Sequence, residues 1–141
     1  MPELSHAARE LLASARTAHL ATSDQYARPH VVPIVFAWRD GVLYTALDRK
    51  PKRDDDWHAL RRVRNIETNG RVAVVVDRYD EDWTRLAYVL LEGVATILES
   101  GDERDGAAKL LRDKYAQYER LSLEGRPVIR VDIERAVEWP S

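Results

Sequence analysis

Residues 86–98, LAYVLLEGVATIL, limit the fold more than any other stretch: aliphatic and β-branched residues continue on both sides of one internal glycine, Gly93. That composition favours an extended strand, and a lone glycine inside a strand marks a bulge or a sharp bend. A long strand that bends belongs to a sheet that curls, so the expectation is a barrel rather than a flat sheet. Residues 72–76, VAVVV, form a nearly continuous apolar run that predicts a strand buried on both faces. A final strand is expected over residues 128–133.

The N-terminal half supplies the remaining strands. Leu4, Ala8, Leu11 and Ala15 recur at helical spacing, which predicts a short amphipathic helix over residues 3–14. Residues 17–22 read as a strand, Ser23, Asp24 and Gln25 as a turn, and residues 29–38 as a second strand. Arg39, Asp40 and Gly41 then turn the chain into a third strand over 42–47, giving three consecutive strands that are most simply antiparallel. Pro33 has no N–H for a ladder, so it belongs at an edge, at a bulge, or where a ligand replaces a neighbouring strand. Asp102 and Glu103 open a later helix whose buried side carries Ala107, Leu111, Tyr115 and Tyr118. The expected architecture is mainly β with two or three helices: a six-stranded antiparallel barrel forming one domain over residues 1–141.

Between the third strand and the next helix lies a basic turn, Arg49, Lys50, Pro51, Lys52 and Arg53, followed by Asp54, Asp55 and Asp56. Those carboxylates suit a helix N-terminus, where free backbone N–H groups and the macrodipole favour negative charge. Trp57, Leu60, Val63 and Ile66 then form an apolar stripe, with Arg61, Arg62, Arg64 and Asn65 largely off it. Guanidinium forks and mobile lysine charges together suit phosphate oxygens. The same residues also make an ordinary solvated surface, and both readings stand at this stage.

Several functions lose support. A formal net charge of -2 argues against a duplex nucleic-acid binder. With no cysteine there is no disulfide, thiolate metal site or cysteine nucleophile, which fits a reducing cytoplasm. No stretch has the apolar length of a membrane-spanning helix, so a soluble, cytoplasmic protein without a membrane partner is expected. His6, His19, His30 and His58 show no metal-ligand spacing, and no metal is expected. The acidic loop around Asp80, Glu81 and Asp82 lacks the glycine and spaced ligands of a calcium loop. No nucleophile elbow, P-loop or dinucleotide-binding glycine motif is present.

Taken in order, Leu20-Ala21-Thr22, Arg28-Pro29-His30-Val31-Val32-Pro33-Ile34, Leu43-Tyr44-Thr45, Lys50-Pro51-Lys52, Arg64-Asn65-Ile66, residues 77–83 and Leu91-Glu92-Gly93-Val94-Ala95 resemble the pyridoxamine 5'-phosphate oxidase-like split β-barrel flavoproteins. The likeness is greater to their deazaflavin branch, which uses coenzyme F420. The resemblance implies a homodimeric oxidoreductase with cofactor sites at the interface, transferring a hydride between F420 and a small unsaturated or aromatic substrate. It places the ring system against His30, Val31, Val32, Pro33 and Ile34, and the phosphate end near Thr45, Ala46, Arg49, Lys50, Lys52, Arg61, Arg62 and Asn65. The alternatives are an FMN-dependent enzyme of the pyridoxamine-phosphate oxidase type and a non-catalytic flavin or deazaflavin carrier. The second-strand arginine expected of the FMN oxidases is replaced near His30, which favours the deazaflavin. No catalytic side chain is assigned, because in such reactions the cofactor carries the hydride. Trp83 and Trp139 are read either as core residues or as side chains reaching a neighbour's site.

Overall fold

The computed structural model describes residues 3–48 and 56–140. Its frame is one antiparallel sheet of seven strands: β1 Ala18–Ser23, β2 Pro29–Ile34, β3 Ala37–Arg39, β4 Val42–Ala46, β5 Arg71–Arg78, β6 Ala87–Leu98 and β7 Val128–Trp139. Their order across the sheet is β2-β1-β5-β6-β7-β4-β3. β2 and β3 therefore occupy opposite edges, yet only Val35 and Phe36 separate them in the chain. Three peptide steps reach at most about 11 Å, so the sheet must curl until its edges meet.

The bend that permits this curling falls where the glycine predicts it. The β6–β7 register shifts at Glu92/Gly93, and a Cβ at Gly93 would lie 1.9 Å from the Asp132 carbonyl oxygen. Only glycine allows the two backbones that approach.

The curl also revises two expectations. The segment 29–38 is not one strand, because Val35–Phe36 crosses from one edge to the other; this raises the expected six strands to seven. The first three segments are likewise not a simple meander, since β2 pairs with β1 whereas β3 pairs with β4. Pro33 lies on edge strand β2 opposite His19, a place in a sheet where a residue without an N–H is tolerated. A third correction concerns β5: Val72, Val74 and Val76 are buried, but Ala73 and Val75 are only half-buried, so the strand buries one face fully rather than both.

Helices cover the curled sheet. Helix α1, His6–Ser14, is capped by the Ser5 side chain, which accepts from the Ala8 N–H, and it buries Ala8, Leu11 and Leu12. The second helical segment begins differently from the expected acidic start. Asp56 caps a 3-10 turn, Trp57–Ala59, and α2 itself runs Arg61–Thr68 with Leu60 at its N-cap. Asp54 and Asp55 lie outside the described residues. Val63 and Ile66 enter the main core with Leu20, Val74 and Leu91.

Helix α3, Asp102–Lys114, starts on the predicted acidic turn and buries Ala107, Ala108 and Leu111. Tyr115 and Tyr118 are buried as expected, but Tyr115 is the helix C-cap and Tyr118 belongs to the 3-10 turn Ala116–Glu119. Together they form a second apolar cluster against Ala37, Tyr44 and Val128. Burying a side chain such as Leu111 is worth about 1.5–3 kcal/mol, enough to hold α3 against the β3–β4 edge. No helix among the described residues is long and apolar enough to cross a membrane.

Candidate functional site

The sheet seam creates a cleft. Ala37 stands opposite Tyr44, so continuing that antiparallel register by two residues carries Val35 alongside Ala46. A cavity of about 180 Å³ opens there, lined by Thr17, Pro33, Ile34, Val35, Thr45, Ala46, Asp48 and Arg62. The curl thus joins Pro33 and Ile34 from one edge with Thr45 and Ala46 from β4, and α2 adds Arg62.

The electrostatics of this cleft favour an anion beside Arg62. Burial pulls the Arg62 guanidinium below its ordinary range, and the Asp48 carboxylate acts in the opposite sense. A partly desolvated cation gains most from a further negative partner. Thr45 is buried, with 3% of its surface exposed, yet it lines the cavity. The Thr45 hydroxyl and the Arg62 guanidinium are donors that suit a phosphate group. The volume holds only part of a larger phosphate-bearing molecule, since small-molecule sites usually span about 300–1,000 Å³.

Other expected site residues fall elsewhere. His30 and Val32 are half-buried farther along β2, and Val31 is exposed; none of the three lines this cleft. Arg61 and Asn65 line a different cavity of about 310 Å³, with Arg64, Thr68 and the Asp24–Arg28 turn. Asn65 is not off the buried stripe as expected. It is 2% exposed, and its Nδ2 donates to Thr22 Oγ1 at 2.9 Å, tying α2 to β1. Arg49, Lys50 and Lys52 lie outside the described residues.

The cleft also contains Thr17, Val35 and Asp48, which sequence reading did not select. Asp48 carried a signal, as an acid directly between a strand and a basic turn. Thr17 and Val35 carried none, because their placement depends on edge closure.

Trp83 is 69% exposed and Trp139 45%, so neither packs into the core. The Trp83 indole N–H donates to the Tyr79 hydroxyl, and Trp139 stacks near Tyr88 with ring centroids 6.2 Å apart. Among the described residues, no group of His, Asp or Glu side chains is arranged to hold a metal ion.

A curled antiparallel sheet closed by a two-residue crossing, with α1 and α2 packed into its main core and α3 against a second cluster, defines a split β-barrel. The sequence matches the profile described as pyridoxamine 5'-phosphate oxidase over residues 4–140, and the chain belongs to that family, which includes flavin-dependent oxidoreductases.

Solved structures repeat the fold. An FAD-binding protein from Mesorhizobium loti is 24% identical, with 96% of this chain and 94% of that chain covered and a TM-score of 0.67. A conserved hypothetical protein from Mycobacterium tuberculosis is 20% identical, with 97% and 85% covered and a TM-score of 0.75. A heme binding protein from Mycobacterium smegmatis is 18% identical, with 98% and 55% covered and a TM-score of 0.73. No curated protein matches the chain in sequence.

Proposed function

We propose that this protein is a homodimeric oxidoreductase that binds coenzyme F420 at the barrel seam and moves a hydride between it and a small unsaturated or aromatic substrate. The observation that carries this reading is the meeting of Pro33, Ile34, Thr45, Ala46 and Arg62 around one cleft. Bound there, the coenzyme supplies the hydride chemistry. The chain supplies position and electrostatics: Arg62 holds an anionic group, Thr45 offers a hydroxyl, and Pro33 and Ile34 supply a wall.

The homodimer is part of the same proposal. About 180 Å³ is too little to enclose a tricyclic ring and its side chain, so a second copy would complete the walls. The exposed aromatics Trp83 and Trp139 are available to such a neighbour.

The runner-up is the same site occupied by FMN, either in an enzyme of the pyridoxamine-phosphate oxidase type or in a non-catalytic carrier. The FAD-binding structure from Mesorhizobium loti supports a flavin occupant. Heme receives less support, because no histidine lines the seam cleft.

The deciding assay presents reduced F420 with a panel of enones, quinones and nitroaromatics and follows the return of the oxidised coenzyme's absorbance. Turnover with F420 and none with reduced FMN is the expected outcome. Tight coenzyme binding without turnover on any substrate would replace the enzyme with a carrier.

A further inference from the structure

Neighbouring arginines of α2 open onto different cavities. Arg62 lines the seam cleft, whereas Arg61 and Arg64 line the cavity of about 310 Å³ shared with Asp24, Gln25, Tyr26 and Arg28 of the β1–β2 turn. We propose that this second cavity is a separate site for a nucleoside monophosphate, with the phosphate on Arg61 and Arg64 and the base against the Tyr26 ring. The site goes beyond the coenzyme reading and does not depend on it.

Charge is the first support. Arg61 and Arg64 stand three residues apart on α2, a spacing that brings two side chains to one helix face. Both are exposed, and neither is paired with a carboxylate among the described residues. The lining sets three guanidinium groups, Arg28, Arg61 and Arg64, against the single carboxylate of Asp24. That carboxylate is committed to the turn: Oδ1 accepts from the Tyr26 and Arg28 N–H groups at 2.8 and 3.0 Å, and Oδ2 accepts from Arg28 Nε at 2.6 Å. The Arg28 N–H, helped by the Arg28 guanidinium, holds its carboxyl below the usual carboxylate range. Asp24 thus answers Arg28, and the charges of Arg61 and Arg64 are left for a ligand. A phosphate monoester carries about two negative charges at neutral pH and suits two guanidinium forks.

Tyr26 supplies the second support. It lines the cavity and is 69% exposed, with the Arg28 Cζ over its ring at 5.1 Å from the centroid. A cation on one face leaves the other for a planar group, and nucleobases stack on aromatic side chains whatever their identity. The volume stands at the lower end of the usual range for small-molecule sites, which begins near about 300 Å³, and so suits a mononucleotide rather than a larger molecule. The third support is that both walls are anchored. The Asp24 N–H donates to the Arg28 carbonyl at 3.2 Å and the Ala27 N–H to the Asp24 carbonyl at 3.1 Å, closing the turn. Asn65 ties α2 to Thr22 on β1, the strand that runs directly into that turn. The helix bearing the guanidinium groups and the turn bearing the ring are therefore set relative to each other before a ligand arrives, which lowers the ordering cost of binding.

The test titrates the full chain with AMP, adenosine and inorganic phosphate by calorimetry, with and without saturating F420 or FMN. Wild type should bind AMP roughly tenfold more tightly than adenosine or phosphate, and neither coenzyme should displace it. Arg64→Glu reverses one of the two unpaired charges and should weaken AMP roughly tenfold or more. Tyr26→Ala should weaken AMP roughly tenfold and leave phosphate unchanged, since it removes only the stacking face. Arg62→Ala should leave AMP unchanged. Unfolding midpoints establish that the variants fold, and coenzyme titrations of Arg64→Glu and Tyr26→Ala should match wild type. Absence of AMP binding at millimolar concentration, or wild-type AMP affinity in Arg64→Glu, overturns the site. Displacement of AMP by coenzyme one for one, or loss of AMP binding in Arg62→Ala, would put the phosphate in the seam cleft and overturn it equally. Oligothymidylate bound more tightly than AMP would make the surface a nucleic-acid contact and the mononucleotide seat wrong. The expected AMP pattern in a protein that binds neither coenzyme would uphold this site while removing the cofactor reading.

Discussion

Tyr118 Oη donates a 2.7 Å hydrogen bond to Asp48 Oδ2, joining the turn after α3 to the last described residue before the basic segment. Burial, and secondarily Asp48, push the Tyr118 hydroxyl's pKa far up, so it remains a donor at any ordinary pH. Three further bonds anchor the same place: Arg126 Nε donates to the Leu47 carbonyl at 2.8 Å, and Arg104 Nη1 donates to the Leu123 and Arg126 carbonyls, each at 2.9 Å. The end of β4 is therefore held from the α3 side. Tyr118→Phe should lower unfolding free energy by about 1 kcal/mol, the net worth of one such bond, and weaken coenzyme binding several-fold by loosening Asp48 beside Arg62. Urea denaturation and fluorescence titration read the two effects separately.

Adjacent arginines on α2 should behave differently. Arg62 lines the seam cleft, whereas Arg61 lines the cavity beside the Asp24–Arg28 turn. Arg62→Ala should raise the coenzyme dissociation constant about ten- to a hundredfold, corresponding to a charge-assisted bond of about 1.5–3 kcal/mol. Arg62→Lys should recover part of that loss, since charge survives but the fork does not. Arg61→Ala should stay within about twofold of wild type. Equal losses at Arg61 and Arg62 would place the anion elsewhere.

Gly93→Ala tests the curl. The added Cβ would meet the Asp132 carbonyl oxygen at 1.9 Å, a backbone atom that cannot rotate away. Destabilisation of about 3 kcal/mol is expected, from separation of β6 and β7 at the bulge. Thermal unfolding of the purified variant measures it.

Lys114 gives the alkaline side of the stability profile. Burial, then the neighbouring charge of Arg16, lowers its pKa from 10.5 to about 8. Its Nζ lies 3.9 Å from the Phe36 ring centroid and donates to the Leu12 carbonyl at 3.4 Å. Between those two pKa values the unfolded chain holds a proton that the folded chain lacks, so stability from this group rises with pH across that window. Below about pH 8 the charged form persists in both states and the slope vanishes. In Lys114→Met the rise should disappear, so the wild-type advantage over the variant should grow from pH 7 to pH 10 in urea titrations.

How much of this was readable in the residues follows from the range of the interactions involved. The Gly93 bulge, the acidic opening of α3 and the edge position of Pro33 depend on local backbone chemistry, and each occurs where its residue type predicts. The break at Val35–Phe36 was not readable, because nothing in that dipeptide differs from the apolar residues around it. It arises from β7 pairing with β4, a contact between segments far apart in sequence. For the same reason Arg62 could be chosen by type and Thr45 from the family resemblance, whereas their meeting with Thr17 and Val35 required the closed sheet. Asn65 departs from its expected place off the apolar stripe: a polar residue beside arginines reads as exposed, yet it is buried and its amide donates to Thr22.

The most direct measurement is a parallel titration of the purified protein with F420 and FMN, followed by mass spectrometry of any cofactor retained and light scattering of the complex. The account predicts micromolar or tighter F420 binding, one coenzyme per chain, in a particle of twice the chain mass, with FMN bound more weakly. Stoichiometric FMN retained by the protein, with no measurable F420 binding, would contradict it.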